Sequence, residues 1–165
     1  MNRLAFLLPV LLIMIVSCEK EKKKDNSNEI VFEGITMTDE FGNLINRDTT
    51  DWKFTDNWTD KESALFSEKR DNICSIENLN YSIVVFPNPC NSIIRLDISK
   101  PESSRFAFRI VDKDFNVLVS HDSIYWGAIG ITLEEFNISN EIVRMYYKIL
   151  GENCELRGHG DIKIE

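Results

Sequence analysis

From Tyr81 onward, apolar and polar residues alternate in short runs separated by turn residues, and each run predicts a β-strand. The runs are 81–86, 92–98, 105–111, 116–120, 129–133, 142–150 and 160–164, with a further short one at 154–157. Ser92–Ile98 alternates with period two, the pattern of a strand with one buried face. Between the first two runs, Pro87 and Pro89 fix φ and remove two backbone donors, so neither strand can continue through the corner. Asn88 and Asn91 suit its turn conformations. Further turns are expected at 101–104, 112–116, where Asn116 is the residue suited to a left-handed backbone, and 151–153. Gly158 and Gly160, flanking His159, predict a bulge or tight turn before the last strand. This spacing predicts a mainly β fold, an antiparallel sandwich with Greek-key connections.

The pattern ahead of Tyr81 is weaker. Ile30–Thr38 alternates as one short strand, Asp39–Asn43 reads as a turn with its tip at Gly42-Asn43, and Leu44-Ile45 reads as a brief second strand. Thr59 followed by Glu62 is a capping-box pattern and predicts a helix from Asp60 to Lys69, with Leu65, Phe66 and Trp58 as its buried contacts. Trp52 and Trp58, with Phe54 between them, admit two readings. They form an aromatic platform for a sugar or peptide, with Trp126 as a third member, or they pack this irregular segment onto the sandwich.

Met1–Ser17 has one positive charge at Arg3 and then an apolar run, Leu4–Val16, too short for a comfortable membrane span; it predicts an export signal over 1–17. Ile15-Val16-Ser17-Cys18 resembles the lipobox of bacterial lipoproteins. The resemblance implies that Cys18 becomes the lipidated first residue, anchored by acyl chains worth about 0.8 kcal/mol per buried methylene. Residues 18–29 form a densely charged tether after that cysteine. Val85-Phe86-Pro87-Asn88-Pro89 followed by Ser92-Ile-Ile-Arg-Leu-Asp-Ile98 resembles the opening of type IX secretion C-terminal sorting domains of Bacteroidota. Those are immunoglobulin-like β-sandwiches, so the resemblance implies that fold for 80–165, preceded by a short irregular segment, 30–79, with one short helix. The chain departs from that family at its end, where Gly160-Asp-Ile-Lys-Ile-Glu165 replaces the usual basic strand.

Composition narrows the chemistry. The net charge of −8 leaves no basic footprint for nucleic acid. Export permits disulfides, and beyond Cys18 three cysteines remain, so at least one is free or pairs between molecules. Cys90 with Cys154 is the pair to test first, although spacing does not establish it. Only His121 and His159 are available as neutral-pH bases. Ser120-His121-Asp122 is no triad, since neighbours on a strand point to opposite faces. No metal-ligand spacing, phosphate loop or cofactor motif occurs, so no metal, cofactor or enzymatic activity is expected. Asp48-Thr49-Thr50 and Asp122-Ser123-Ile124 resemble the O-glycosylation acceptor of exported Bacteroidota proteins, which implies Thr49 and Ser123 as modification sites, the latter on a loop.

These readings converge on a lipid-anchored cell-envelope protein, held at the outer membrane on a side the sequence leaves open. The sandwich is expected to serve as an interaction or assembly module for an envelope protein. The alternatives are a type IX sorting signal on a small cargo and a glycan-binding surface lipoprotein.

Overall fold

The computed structural model describes residues 29–32, 34–55, 57–75, 81–133 and 139–165. The leader, Cys18 and nearly all of the tether lie outside these residues, as does most of the loop expected at 133–136. Among the described residues, seven strands carry the C-terminal half: β5 (Ser82–Phe86), β6 (Ile93–Ser99), β7 (Arg105–Val111), β8 (Val117–Ile124), β9 (Ala128–Thr132), β10 (Glu141–Leu150) and β11 (Cys154–Ile164). Ahead of them come β1 (Met37–Thr38), β2 (Leu44–Asn46), β3 (Lys53–Phe54), α1 (Asp60–Ala64) and β4 (Asn72–Ile73).

The fold is an immunoglobulin-like β-sandwich. One sheet has the order β5-β6-β9, and the other runs β3-β11-β10-β7-β8, with β4 added to β11. Of the seven C-terminal strands, the first, second and fifth thus face the third, fourth, sixth and seventh, and the chain crosses between sheets at β6–β7, β8–β9 and β9–β10. Inward-facing Ile94, Leu96, Phe106, Phe108, Ile110, Met145, Tyr147 and Ile162 fill the space between the sheets, each fully buried. Each such side chain contributes about 1.5–3 kcal/mol over its exposed state.

The larger sheet is covered on its outer face as well, and this explains a break in pattern. β6 alternates buried and exposed, whereas β7 is buried at every position after Arg105 and β10 at every position from Met145. Strands covered on both faces lose the polar–apolar alternation. The cover comes from the N-terminal segment: Ile30 and Phe66, with Phe32, Trp58 and Leu65, pack on Ala107, Val111, Tyr146 and Leu150. Trp58 stacks on Phe66 at 5.5 Å and meets Tyr146 edge-on at 5.8 Å. The expected packing of Trp58, Leu65 and Phe66 is what forms. The capping box is present too: Thr59 Oγ1 accepts from the Glu62 amide, and Glu62 Oε2 accepts from the Thr59 amide at 2.7 Å.

The structure corrects several boundaries. The helix ends at Ala64, short of Lys69, and the strand expected over Ile30–Thr38 shrinks to Met37–Thr38. The runs at 154–157 and 160–164 are one strand, in unbroken register with β10 from Leu150–Glu155 to Glu141–Ile164, so Gly158 and Gly160 make no bulge. They make room instead. A Cβ on Gly160 would sit 2.1 Å from the Trp52 indole, and one on Gly158 would sit 2.0 Å from the Lys53 carbonyl oxygen. In the Asp112–Asn116 turn the left-handed residue is Phe115 (φ 66°), one place before Asn116. Asp112 closes that loop by accepting from the amides of Asp114 and Asn116 and from the Asn116 side chain. Asp39 makes the same set with Phe41 and Asn43, and there the equivalent left-handed position is Gly42.

The disulfide is also different. Cys74 bonds Cys154 across 80 residues, and Cys90 is a buried free thiol. β4 pairs in parallel with the start of β11, which brings Cys74 beside Cys154. Cys90 lies at the opposite end of β11, bridged to Ile164, and cannot reach Cys154.

Candidate functional site

The titratable groups of the larger sheet's outer face are largely structural. Lys148 and Glu155 are both buried and paired at 2.9 Å, with Trp58 and Phe66 over the ammonium at 5.7 and 5.5 Å. Burial lowers the Lys148 pKa, against the opposing pull of Glu155. Arg144 grips Asp161 through two hydrogen bonds of 2.6 and 2.7 Å, with Phe32 against its guanidinium. His159 sits on this face beside Tyr146, and burial followed by the Arg144 charge holds its pKa below the usual value. His121 lies exposed on β8 over Phe108, Asp122 pairs with Arg109, and Arg105 donates to Ser123 Oγ. These partners do not converge on one reacting atom. Among the described residues no three His, Cys, Asp or Glu side chains gather as metal ligands.

The edge of β11 shows how the chain protects an open ladder. Cys74, Thr55 and Trp52 donate their amides to the carbonyls of Glu155, Arg157 and His159 in turn. Farther along, Asp51 Oδ1 accepts from the Asp161 amide at 2.7 Å and Asn88 Oδ1 from the Lys163 amide at 3.0 Å. Cys90 and Glu165 complete the series through backbone bonds. Asp51 is buried, and Oδ2 also accepts from the Thr36 amide. Desolvation raises its pKa to about 6, against the hydrogen bonds and with the Asp161 charge.

β5 is treated differently. Among the described residues it pairs with β6 alone, so its other edge is an edge of the sandwich. Thr38 Oγ1 donates to the Val85 carbonyl at 2.7 Å, and the Thr38 and Asn88 backbones exchange bonds of 2.8 and 3.2 Å. β1 therefore covers the corner end of this edge, and the chain then turns away at Asp39. Along a strand, the amide and carbonyl of every second residue point to the same side. Since the Val85 carbonyl faces Thr38, the amide and carbonyl of Ile83 face outward too, and no described strand takes them. They open onto a cleft of about 340 Å³, near the lower end of typical ligand pockets. Trp52, Phe54 and Tyr81 are its aromatic lining, Asp51 and Arg47 its charged residues. Trp52 stacks parallel to Tyr147 at 6.1 Å, and Phe54 meets Tyr81 edge-on. Leu44 also lines the cleft, and with Phe41 and Ile45 it leaves the Asp39–Asn46 hairpin with three large apolar side chains exposed.

The three tryptophans singled out from sequence are not brought together. Trp52 lines this cleft, Trp58 lines a second cavity of about 400 Å³ with His159 and Glu62, and Trp126 is 72% exposed on the turn between β8 and β9. Thr49 is exposed after β2, and Ser123 is exposed within strand β8, where a loop was expected. Sequence reasoning missed Arg47, Asp51 and Ile83. The one available signal was the absence of charge and proline within 82–86, an unusual lack for an edge strand.

No protein-family model and no curated protein matches this chain. Among solved structures it is similar to a DUF3244 family protein with an immunoglobulin-like β-sandwich fold from Bacteroides vulgatus. That likeness has 14% identity and a TM-score of 0.39, covering 69% of this chain and 98% of that one.

Proposed function

We propose that this chain is a lipid-anchored envelope protein whose sandwich is retained as a non-enzymatic interaction module. The observation that carries this reading is the way residues 30–75 are built into the sandwich. They supply β3 and β4 to the larger sheet, cover its outer face, and are tied to β11 by the Cys74–Cys154 bond. Cleavage ahead of Tyr81, as a removable sorting signal requires, would strip these residues of the surface they pack on. The anchor rests on the lipobox-like run ending at Cys18 and on the charged tether that follows.

The test is the intact mass of the native protein extracted from envelope membranes. The expected species runs from residue 18 to residue 165 and carries acyl chains. A lipidated species ending before Tyr81 would favour the sorting-signal reading, and a species without acyl mass would remove the anchor.

A further inference from the structure

Among the described residues, the chain closes one edge of its sandwich with five separate contributions and leaves another open above an apolar cleft. Along β11, amides just after β4, on either side of β3 and at the corner, together with the side chains of Asp51 and Asn88, meet successive outward groups. On β8, a further edge, exposed His121 and Asp122 discourage strand addition. Among the described residues, β5 has neither protection beyond its corner end. The Ile83 amide and carbonyl and the Val85 amide face the cleft at the two-residue spacing of a strand ladder, and 82–86 contains no charge or proline. β1 begins to use the same edge at Val85 and Asn88 and stops there.

The lining indicates what would fit. Trp52, Phe54 and Tyr81 offer apolar surface for alternate side chains, and the exposed Phe41, Leu44 and Ile45 extend it. Arg47 is the one cation among the described lining residues, and its guanidinium makes no ion pair with a described residue. Asp51 lines the same cleft but makes no ion pair with Arg47; its carboxylate is held by the Thr36 and Asp161 amides, one on each oxygen. The charge is left for an occupant to meet.

We propose that this cleft binds an extended segment of a partner protein as an added strand on β5, with apolar side chains against Trp52, Phe54 and Tyr81 and a carboxylate facing Arg47. Main-chain hydrogen bonds supply the affinity in such an arrangement, and side-chain pockets supply the selectivity. The inference rests on the reading of the sandwich as an interaction module and names the partner chemistry.

The experiment uses the residue 19–165 chain and a synthetic eight-residue peptide alternating valine and threonine and ending in glutamate. Binding is read by fluorescence anisotropy and by NMR shifts of the Ile83 and Val85 amides. The expected result is saturable binding, weakened about tenfold by Arg47→Glu, an exposed position, and recovered when the peptide's glutamate becomes lysine. N-methylation of alternate peptide amides, in whichever register faces β5, is expected to abolish it. The proposal is overturned by no binding up to about 1 mM, by binding indifferent to both N-methylated registers, or by an unchanged affinity in Arg47→Glu. It is equally overturned if the Ile83 and Val85 amides move only with oligosaccharides, or only with anionic lipid vesicles in a manner lost on Phe41→Ser and Leu44→Ser. A lipidated, uncleaved native protein that ignores the peptide sinks this inference alone. A native chain that is cleaved or lacks acyl mass sinks the proposed function instead.

Discussion

Asn88 Nδ2 donates to the backbone carbonyl of Asp161 at 2.9 Å, joining the proline corner to the last strand across 73 residues of sequence. The same amide donates to Thr36 at 2.7 Å, and Oδ1 accepts from the Lys163 amide. Asn88 thus joins three stretches of chain through one buried side chain. Asn88→Ala leaves three main-chain groups without their partner and is expected to lower stability by about 2–4 kcal/mol. Asn91→Ala, in the exposed part of the corner, is expected to stay within about 0.5 kcal/mol. Urea denaturation of both variants is the measurement, and equal effects would refute the role assigned to Asn88.

Lys148 and Glu155 form a pair that neither partner can leave cheaply. Lys148→Met takes from the buried Glu155 carboxylate its close counter-ion and leaves the Arg157 guanidinium at 3.8 Å, with an expected loss of about 3–5 kcal/mol. Adding Glu155→Leu removes that charge, and the double variant is expected to recover most of the loss. The carboxylate also accepts from the Arg70 amide, so a modest deficit should remain. Thermal melts of the single and double variants decide it.

The absence of a side chain at Gly160 is matched to the Trp52 indole. Gly160→Ala places a methyl where the ring lies, with an expected destabilisation of about 1–3 kcal/mol and a shifted Trp52 fluorescence maximum. In a Trp52→Ala background the same substitution should be nearly neutral. A double-mutant cycle with coupling below about 0.5 kcal/mol would show that the two sites are independent.

Non-reducing peptide mapping is expected to recover Cys74 and Cys154 in one linked fragment, with Cys90 modified only after denaturation. Cys90 is 3% exposed, and burial pushes its thiol up to about 11, so little thiolate exists at neutral pH. Cys154→Ser opens an 80-residue loop and is expected to lower stability by about 2–4 kcal/mol.

Asp51 ties stability to pH with an uncommon sign for a carboxylate. Folded Asp51 keeps its proton up to about pH 6, while the unfolded side chain releases it near 3.8. Between those values the folded state binds more protons, so this group's contribution to stability falls as pH rises through the window and is level above it. The ceiling is about 3 kcal/mol, reduced by partial solvation. The difference in stability between wild type and Asp51→Asn should therefore move in favour of the variant from pH 4 to pH 6.5. A difference that is flat, or that moves toward wild type, contradicts the assignment. Comparing the two proteins cancels the other carboxylates.

Most strands of the sandwich were legible as short runs of β-branched, aromatic or alternating residues bounded by turn residues. Arg105–Val111 appears with the boundaries its sequence predicts, β5 and β10 differ by a residue at their first position, and β6 and β9 are displaced by one residue at both ends. The capping box at Thr59 was legible for a related reason, since both of its hydrogen bonds span three residues. The cleft was not. Its lining comes from the Thr36–Arg47 hairpin region, from Asp51–Phe54 and from Tyr81–Val85, and no local pattern records that these meet.

Alternation of side chains, two prolines and short polar turns determined on their own that this chain would make antiparallel strands and turn at Pro87–Pro89. Those are properties of neighbouring residues, and sequence spells out neighbours directly. The tertiary structure alone decided that Cys74 and not Cys90 reaches Cys154, that Gly160 makes room for a tryptophan about a hundred residues away, and which edge of the sandwich stays open among the described residues. Each depends on which remote segments come to lie against β11 and β5. That choice is made by packing and by satisfying main-chain groups over the whole fold, where a stretch such as Asp51–Phe54 gains its meaning from the strand it covers.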